Sequence, residues 1–162
     1  MEQSITLFSI PKAFIGERSS DHIRTIQHNA FGSWAKLGLN VFIFGDDLGV
    51  KEAALEYGFT HINNIRVNEF GTPILIDAFS TVKQLSEDST LIYTNADIIF
   101  TSDLLKLRKS ITQSRFMAVG RRVDLDITEP IYYKDFNWEK KLHDLTASRG
   151  KLHGYAGIDY FL

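Results

Sequence analysis

Short apolar runs alternate with longer amphipathic segments along most of the chain. Three runs have the composition of strands: residues 5–10, 41–44 and 91–94. Residues 41–44 fit a strand that is buried on both faces, and residues 91–94 predict a buried strand. Between and after them, apolar residues recur at steps of three and four, which predicts helices over residues 22–37, 50–57, 73–85 and 103–111. This alternation predicts an α/β fold, with a mainly parallel, Rossmann-like sheet and helices on both of its faces.

Two further segments have strand-like patterns. Residues 61–67 predict a third strand at an edge of the sheet, and residues 116–119 predict a strand in its centre, beside 41–44 and 91–94. After Gly120 the alternation is lost, and only residues 140–148 have a helical pattern. The length fits one domain, residues 1–162.

The apolar segment at residues 157–162 resembles the beginning of a strand. We therefore expect the domain to be truncated at its C-terminus, and a longer chain to be more stable because the apolar end would gain partners.

Composition narrows the classes of function. The chain has 18 basic and 20 acidic residues and a net charge of −2, so no basic face indicates a nucleic-acid partner. It has no cysteine, so any metal must use oxygen or nitrogen ligands. The N-terminus lacks the basic region of a signal peptide, and no apolar stretch is long enough for a transmembrane segment. We therefore expect a cytoplasmic protein.

Polar side chains follow two of the predicted strands. Asn95 and Asp97 come directly after residues 91–94, and Asp46 and Asp47 follow residues 41–44. Ligands of open α/β sheets bind at the carboxyl ends of the strands. Asn95 and Asp97 would supply oxygen ligands to Mn²⁺ or Mg²⁺ beside a diphosphate, and Asp46 or Asp47 would contact a ribose or a base. The alternative in both places is an ordinary turn.

Basic residues near the same edge are candidates for phosphate binding. Arg18 follows the first strand, and Arg121 stands with Arg122 where a guanidinium pair would clamp a diphosphate. The alternatives are a solvated loop and a pair of surface arginines. The phosphate-loop pattern G-x-x-x-x-G-K-[ST], the dinucleotide pattern G-x-G-x-x-G and the hydrolase pattern G-x-S-x-G are all absent from the sequence.

The order of these motifs resembles the nucleotide-diphospho-sugar transferases of the GT-A fold, and in particular a little-characterised bacterial-type subgroup. In that family a D-x-D-type motif after the fourth strand holds Mn²⁺ or Mg²⁺ against the donor diphosphate. Asn95 and Asp97 would fill it here, and Asn95 removes one negative charge. The resemblance spans nearly the whole chain and rests on the segments NADIIF (95–100), VGRR (119–122), DLDIT (124–128) and HGYAGIDYF (153–161).

The resemblance implies a glycosyltransferase that moves a sugar from a nucleotide-diphosphate donor to a hydroxyl of a carbohydrate or other acceptor. Asp159 is the candidate catalytic base if the reaction inverts configuration. A nucleotidyltransferase of the same fold is an alternative, although residues 10–20 lack the Gly-rich, basic loop that it usually has. The other alternative is a fragment that binds a nucleotide sugar without catalysis, since the subgroup continues beyond residues 159–161.

Overall fold

A computed structural model describes residues 4–17, 19–86 and 90–162, which form eight strands and five helices in these ranges. The strands are β1 (Ile5–Ser9), β2 (Asn40–Phe44), β3 (Thr60–Ile62), β4 (Thr90–Thr94), β5 (Val119–Gly120), β6 (Val123–Asp124), β7 (Lys151–Leu152) and β8 (Tyr160–Phe161). The helices are α1 (Asp21–Lys36), α2 (Val50–Glu56), α3 (Leu75–Leu85), α4 (Asp103–Ser110) and α5 (Trp138–Arg149).

The main sheet has the strand order β3-β2-β1-β4-β8-β5, and β6 pairs with β7 in a separate two-stranded ribbon. β1, β2, β3 and β4 are parallel, which confirms the predicted mainly parallel α/β sheet. β2 and β4 lie inside the sheet, as predicted. β8 runs antiparallel to both of its neighbours.

The prediction of a central strand over residues 116–119 is wrong. The strand is β5, which begins at Val119 and lies at the edge of the sheet, because β8 takes the place beside β4. Ala118 and Leu162 extend this pairing, since each backbone N–H donates to the other's carbonyl at 3.0 and 2.9 Å. A partner that comes from about 40 residues later cannot be read from the local pattern.

Helices cover both faces of the sheet, as the alternation predicts. Side chains of α1, α2 and α4 pack on one face with Leu7, Ile43 and Ile92. On the other face, Ala78 and Val82 of α3 pack against aromatic side chains of β1 and β2. Because successive residues of a strand point to opposite faces, both faces of β1 are apolar and all five of its residues are buried.

Two element boundaries differ from those predicted. The third strand spans three residues rather than 61–67, and α3 begins at Leu75 rather than at Pro73. Pro73 instead forms a bridge with Val67, and Ile74 N–H donates to the carbonyl of Arg66 at 2.7 Å. These contacts use the backbone groups that a longer helix or strand would need. Among the described residues, no helix has the length and apolar character needed to cross a membrane.

A buried asparagine attaches the irregular segment after β6 to α1. Asn29 is 2% exposed, its side-chain nitrogen donates to the carbonyl of Glu129 at 3.0 Å, and its oxygen accepts from Ile131 N–H at 2.7 Å. The Tyr133 hydroxyl donates to the backbone carbonyl of Asn29, and Gly32 leaves space for the Tyr133 ring. One polar side chain therefore organises residues 129–133.

We expect Asn29→Ala to lower the free energy of unfolding by about 1–3 kcal/mol, because it leaves a buried N–H and a carbonyl without partners. Urea unfolding followed by tryptophan fluorescence measures this change. Lys36→Ala, at an exposed position of the same helix, is the control and should change stability by less than about 0.5 kcal/mol. Equal effects of the two substitutions would contradict the anchoring role of Asn29.

Candidate functional site

Hydrogen bonds from buried side chains fix the turn that carries Asn95 and Asp97. Ser9 Oγ donates to the carbonyl of Thr94 at 2.7 Å, and the buried indole Nε1 of Trp34 donates to the carbonyl of Ile98 at 2.9 Å. Ile98 N–H closes the turn onto the carbonyl of Asn95 at 3.3 Å. The side chains alternate as a result: Ala96 and Ile98 are buried, whereas Asn95 and Asp97 are exposed at the carboxyl end of β4.

The antiparallel strand β8 brings Asp159 beside this turn. The pairing of β4 with β8 continues one residue further, where Asn95 N–H donates to the backbone carbonyl of Asp159 at 3.0 Å. The side chains also meet, since Asn95 Nδ2 donates to Asp159 Oδ1 at 3.2 Å. Residues 64 positions apart in the chain therefore form one polar cluster at the sheet edge.

Asp159 is a buried carboxylate with one oxygen still without a partner. Its side chain is only 5% exposed, and Oδ1 also accepts from the guanidinium of Arg122 in an ion pair. Oδ2 is buried and has no hydrogen-bond partner among the described residues. A buried acceptor of this kind is costly unless a ligand or a water donates to it.

Arg122 links this cluster to the ribbon of β6 and β7. Its Nε donates to Asp124 Oδ1 at 2.7 Å, and the other oxygen of Asp124 accepts from His153 Nδ1 at 2.7 Å. The hydrogen bond from His153, followed by that from Arg122, holds the pKa of Asp124 below its ordinary value. The hydrogen bond to Asp124, followed by the charge of Asp159, raises the pKa of Arg122 against the opposing effect of burial, so Asp124 and Arg122 both stay charged near neutral pH.

Arg121 contacts the segment that follows β7. Its Nε and Nη2 both donate to the backbone carbonyl of His153, with the Nε bond at 2.9 Å. The guanidinium carbon lies 4.2 Å from the centre of the Tyr155 ring, which is 88% exposed. Gly120, just before Arg121, has no room for a Cβ because the Tyr160 ring passes over it. The protein therefore holds the Arg121 guanidinium in place.

A cavity of about 840 Å³ lies between the turn after β4, the segment after β5 and helices α4 and α5. This volume is in the range of small-molecule sites. Asp97, Arg121, Arg122 and Asp124 border it, and the remaining lining is formed by residues from α1, residues 98–101, α4, residues 123–127, α5 and Tyr160.

Three predicted site residues remain: Asp46, Asp47 and Arg18. Asp46 and Asp47 are exposed after β2, at the same sheet edge as Asn95. Because β1 separates β2 from β4, the two turns are about 10 Å apart, and neither aspartate lines the cavity. Arg18 lies outside the described residues, so its predicted phosphate contact stays a prediction.

Whether these residues fit the predicted metal ion depends on whether a substrate supplies further ligands. Within residues 4–17, 19–86 and 90–162, no three His, Asp or Glu side chains are grouped so that they could hold a metal ion. Asp97 and Asn95 provide one carboxylate and one amide, which is too few for a resident ion. Mg²⁺ at phosphate sites uses one or two carboxylates together with substrate oxygens, and the pair fits that arrangement.

The sequence did not indicate His153 as part of this site. Its partner Asp124 is 29 residues away, and the histidines show no ligand spacing. A nearby glycine in the sequence relates to the position of His153, because a Cβ on Gly157 would collide with the imidazole ring.

We expect Arg122→Met to lower the free energy of unfolding by about 1–3 kcal/mol, because it leaves the buried carboxylate of Asp159 without its cation. Adding Asp159→Asn to this variant should recover most of the loss, since the uncompensated charge is removed. Urea unfolding of the two single variants and the double variant measures the coupling, with Arg149→Met, at an exposed arginine, as the control. A double variant no more stable than Arg122→Met would argue against the ion pair.

Comparison with known proteins identifies no family for this chain. No family model matches the chain, and no curated protein matches it. Among solved structures, the chain is similar to a CMP:2-keto-3-deoxy-manno-octonic acid synthetase complexed with CTP. The TM-score is 0.46, and 17% of residues are identical over 98% of this chain and 73% of that chain. At this TM-score the similarity carries no argument about this chain, and the resemblance to the GT-A family stays a prediction.

Proposed function

We propose that the chain binds a nucleotide-diphosphate sugar at the carboxyl edge of its sheet and acts as a transferase on it. One observation carries this proposal: the turn with Asn95 and Asp97 is anchored in the core and joined to the buried Asp159, beside a cavity that Arg121 and Arg122 border. A diphosphate is bound by positively charged donors and by a metal cation at a rigid edge of the sheet. In this proposal Arg121 and Arg122 offer the donors, and Asn95 and Asp97 offer ligands for the cation.

The charge of the site supports a divalent cation as a second component. Among the described residues that line the cavity there are two arginines, so a diphosphate would enter a site that already has a negative balance. The aspartates in the lining are Asp97, Asp103, Asp124 and Asp126, and the arginines are Arg121 and Arg122. Mn²⁺ or Mg²⁺, held by Asp97 and Asn95, would neutralise charge on the leaving diphosphate. In this proposal Arg121 contacts the diphosphate, and Asp46 or Asp47 contacts the nucleoside.

Glycosyl transfer to a hydroxyl acceptor is the reaction that we propose. Nucleotidyl transfer would require backbone N–H groups of the loop after β1 to receive a triphosphate. In that loop, the N–H groups of Phe14 and Ile15 instead donate to the carbonyl of Leu48, at 2.8 and 3.3 Å. These two donors are already used inside the protein, which favours glycosyl over nucleotidyl transfer.

We expect Asp97→Ala to abolish the Mn²⁺-dependent increase in melting temperature that a nucleotide-diphosphate sugar produces, because it removes the anionic oxygen ligand. Thermal unfolding with UDP-glucose, GDP-mannose or dTDP-glucose, with and without Mn²⁺, measures this. A ligand at a hundredfold excess over its dissociation constant stabilises the native state by ~2.7 kcal/mol. Asn95→Ala should weaken the increase less, since it removes a neutral group.

Glu52→Ala, which removes an exposed carboxylate from α2, is the matched control and should bind like the wild type. Unchanged binding by a folded Asp97→Ala variant would refute the assignment of Asp97. Release of nucleoside diphosphate from the sugar donors indicates glycosyl transfer, and release of pyrophosphate from UTP or CTP with a sugar phosphate indicates nucleotidyl transfer. Binding of a donor without either product indicates a non-catalytic binding domain.

A further inference from the structure

His153 and Asp124 form a carboxylate–imidazole pair, and Asp124 borders the cavity. We propose that His153 is the catalytic residue that takes the proton from the acceptor hydroxyl, and that Asp124 is the residue that positions it. This inference rests on the proposed function and deepens it, because it assigns the base of the transfer to the ribbon of β6 and β7 rather than to the main sheet.

The hydrogen bond to Asp124 selects the tautomer of the imidazole. His153 Nδ1 lies 2.7 Å from a carboxylate oxygen, which can only accept, so Nδ1 carries the proton. Nη2 of Arg122 is farther from the same nitrogen, at 3.3 Å. The neutral imidazole therefore keeps its lone pair on Nε2, which is the atom that can accept a proton from a substrate.

The backbone of His153 is held on both sides. Its N–H donates to the carbonyl of Arg122 at 3.0 Å, and its carbonyl accepts from the guanidinium of Arg121. The following turn, which Gly157 N–H closes onto the carbonyl of Gly154 at 3.1 Å, fits around the ring, because a Cβ on Gly157 would collide with it. A ring with a fixed position needs no reorganisation before it accepts a proton.

Accessibility distinguishes His153 from Asp159. The His153 side chain is 32% exposed, whereas that of Asp159 is 5% exposed. Oδ1 of Asp159 already accepts from Arg122 in an ion pair and from Asn95. An acceptor hydroxyl reaches His153 more easily, and the imidazole loses no such ion pair when it takes the proton.

The proposed step is a single displacement. The acceptor oxygen forms a bond to the anomeric carbon of the donor sugar, and the bond from that carbon to the phosphate oxygen breaks. The electron pair of the broken bond leaves on the nucleoside diphosphate, and the proton of the acceptor hydroxyl moves to Nε2 of His153. The ionised Asp124 then stabilises the imidazolium through Nδ1–H.

Charged groups lie around His153. Asp124 on β6 faces the ring, Arg122 lies between Asp124 and Asp159, and Arg121 contacts the backbone carbonyl. A base must be unprotonated to act, so the dependence of kcat on pH should differ between the wild type and His153→Ala.

We expect His153→Ala to lower kcat for release of nucleoside diphosphate from UDP-glucose, GDP-mannose or dTDP-glucose, with water as the acceptor, at least a hundredfold. KM for the donor should change by less than threefold, because His153 does not contact the donor in this proposal. Asp124→Asn should lower kcat less. Two-dimensional ¹H–¹⁵N NMR of the imidazole should show a protonated Nδ1 and an unprotonated Nε2 at pH 7.5.

Lys151→Ala, at an exposed position of the same ribbon, should leave kcat and the pH profile unchanged. If His153→Ala binds the donor normally and keeps the kcat of the wild type, or if the neutral ring carries its proton on Nε2, the inference is overturned while donor binding stands. Donor binding without release by the wild type also overturns it. Failure of the wild type to bind any donor with Mn²⁺ overturns the proposed function, and this inference with it.

Discussion

The buried ion pair between Asp159 and Arg122 connects the two sheets of the molecule. Asp159 precedes β8 in the main sheet, and Arg122 precedes β6 in the ribbon. Burial of a carboxylate is costly unless a cation and hydrogen-bond donors compensate it, and Arg122 and Asn95 are these donors. The requirement to pair one buried charge therefore fixes the turn after β4 and the ribbon relative to each other.

This pairing also sets the chemistry of the cluster. Arg122 is shared between Asp159 and Asp124, so it neutralises carboxylates of the protein before it can contact a substrate. Arg121, held by the carbonyl of His153 and the ring of Tyr155, is the better candidate for an anionic ligand. The two adjacent arginines therefore have different partners: Arg122 pairs with two carboxylates, whereas Arg121 contacts a backbone carbonyl and an aromatic ring.

More of the fold than of the candidate site could be predicted from the sequence. Strands β1, β2 and β4 are mostly apolar, and such runs are recognisable because burial on two faces leaves few polar positions. The helices between them follow from their apolar spacing. Asn95 and Asp97 were predicted as site residues from their position, since ligands of α/β sheets bind at the ends of buried strands, and this assignment stays a prediction. These features depend on neighbouring residues in the chain.

The sequence by itself determined the α/β class, the parallel core and the polar turn at the end of β4, because each follows from a local periodicity or from adjacent residues. Only the tertiary structure decided that β8 separates β4 from β5, and that Asp159 meets Asn95 and Arg122. It also decided that His153 meets Asp124, across 29 positions of the chain. The physical reason is that strand pairing and the pairing of buried charges act between residues far apart in the chain, and neither leaves a periodic signal.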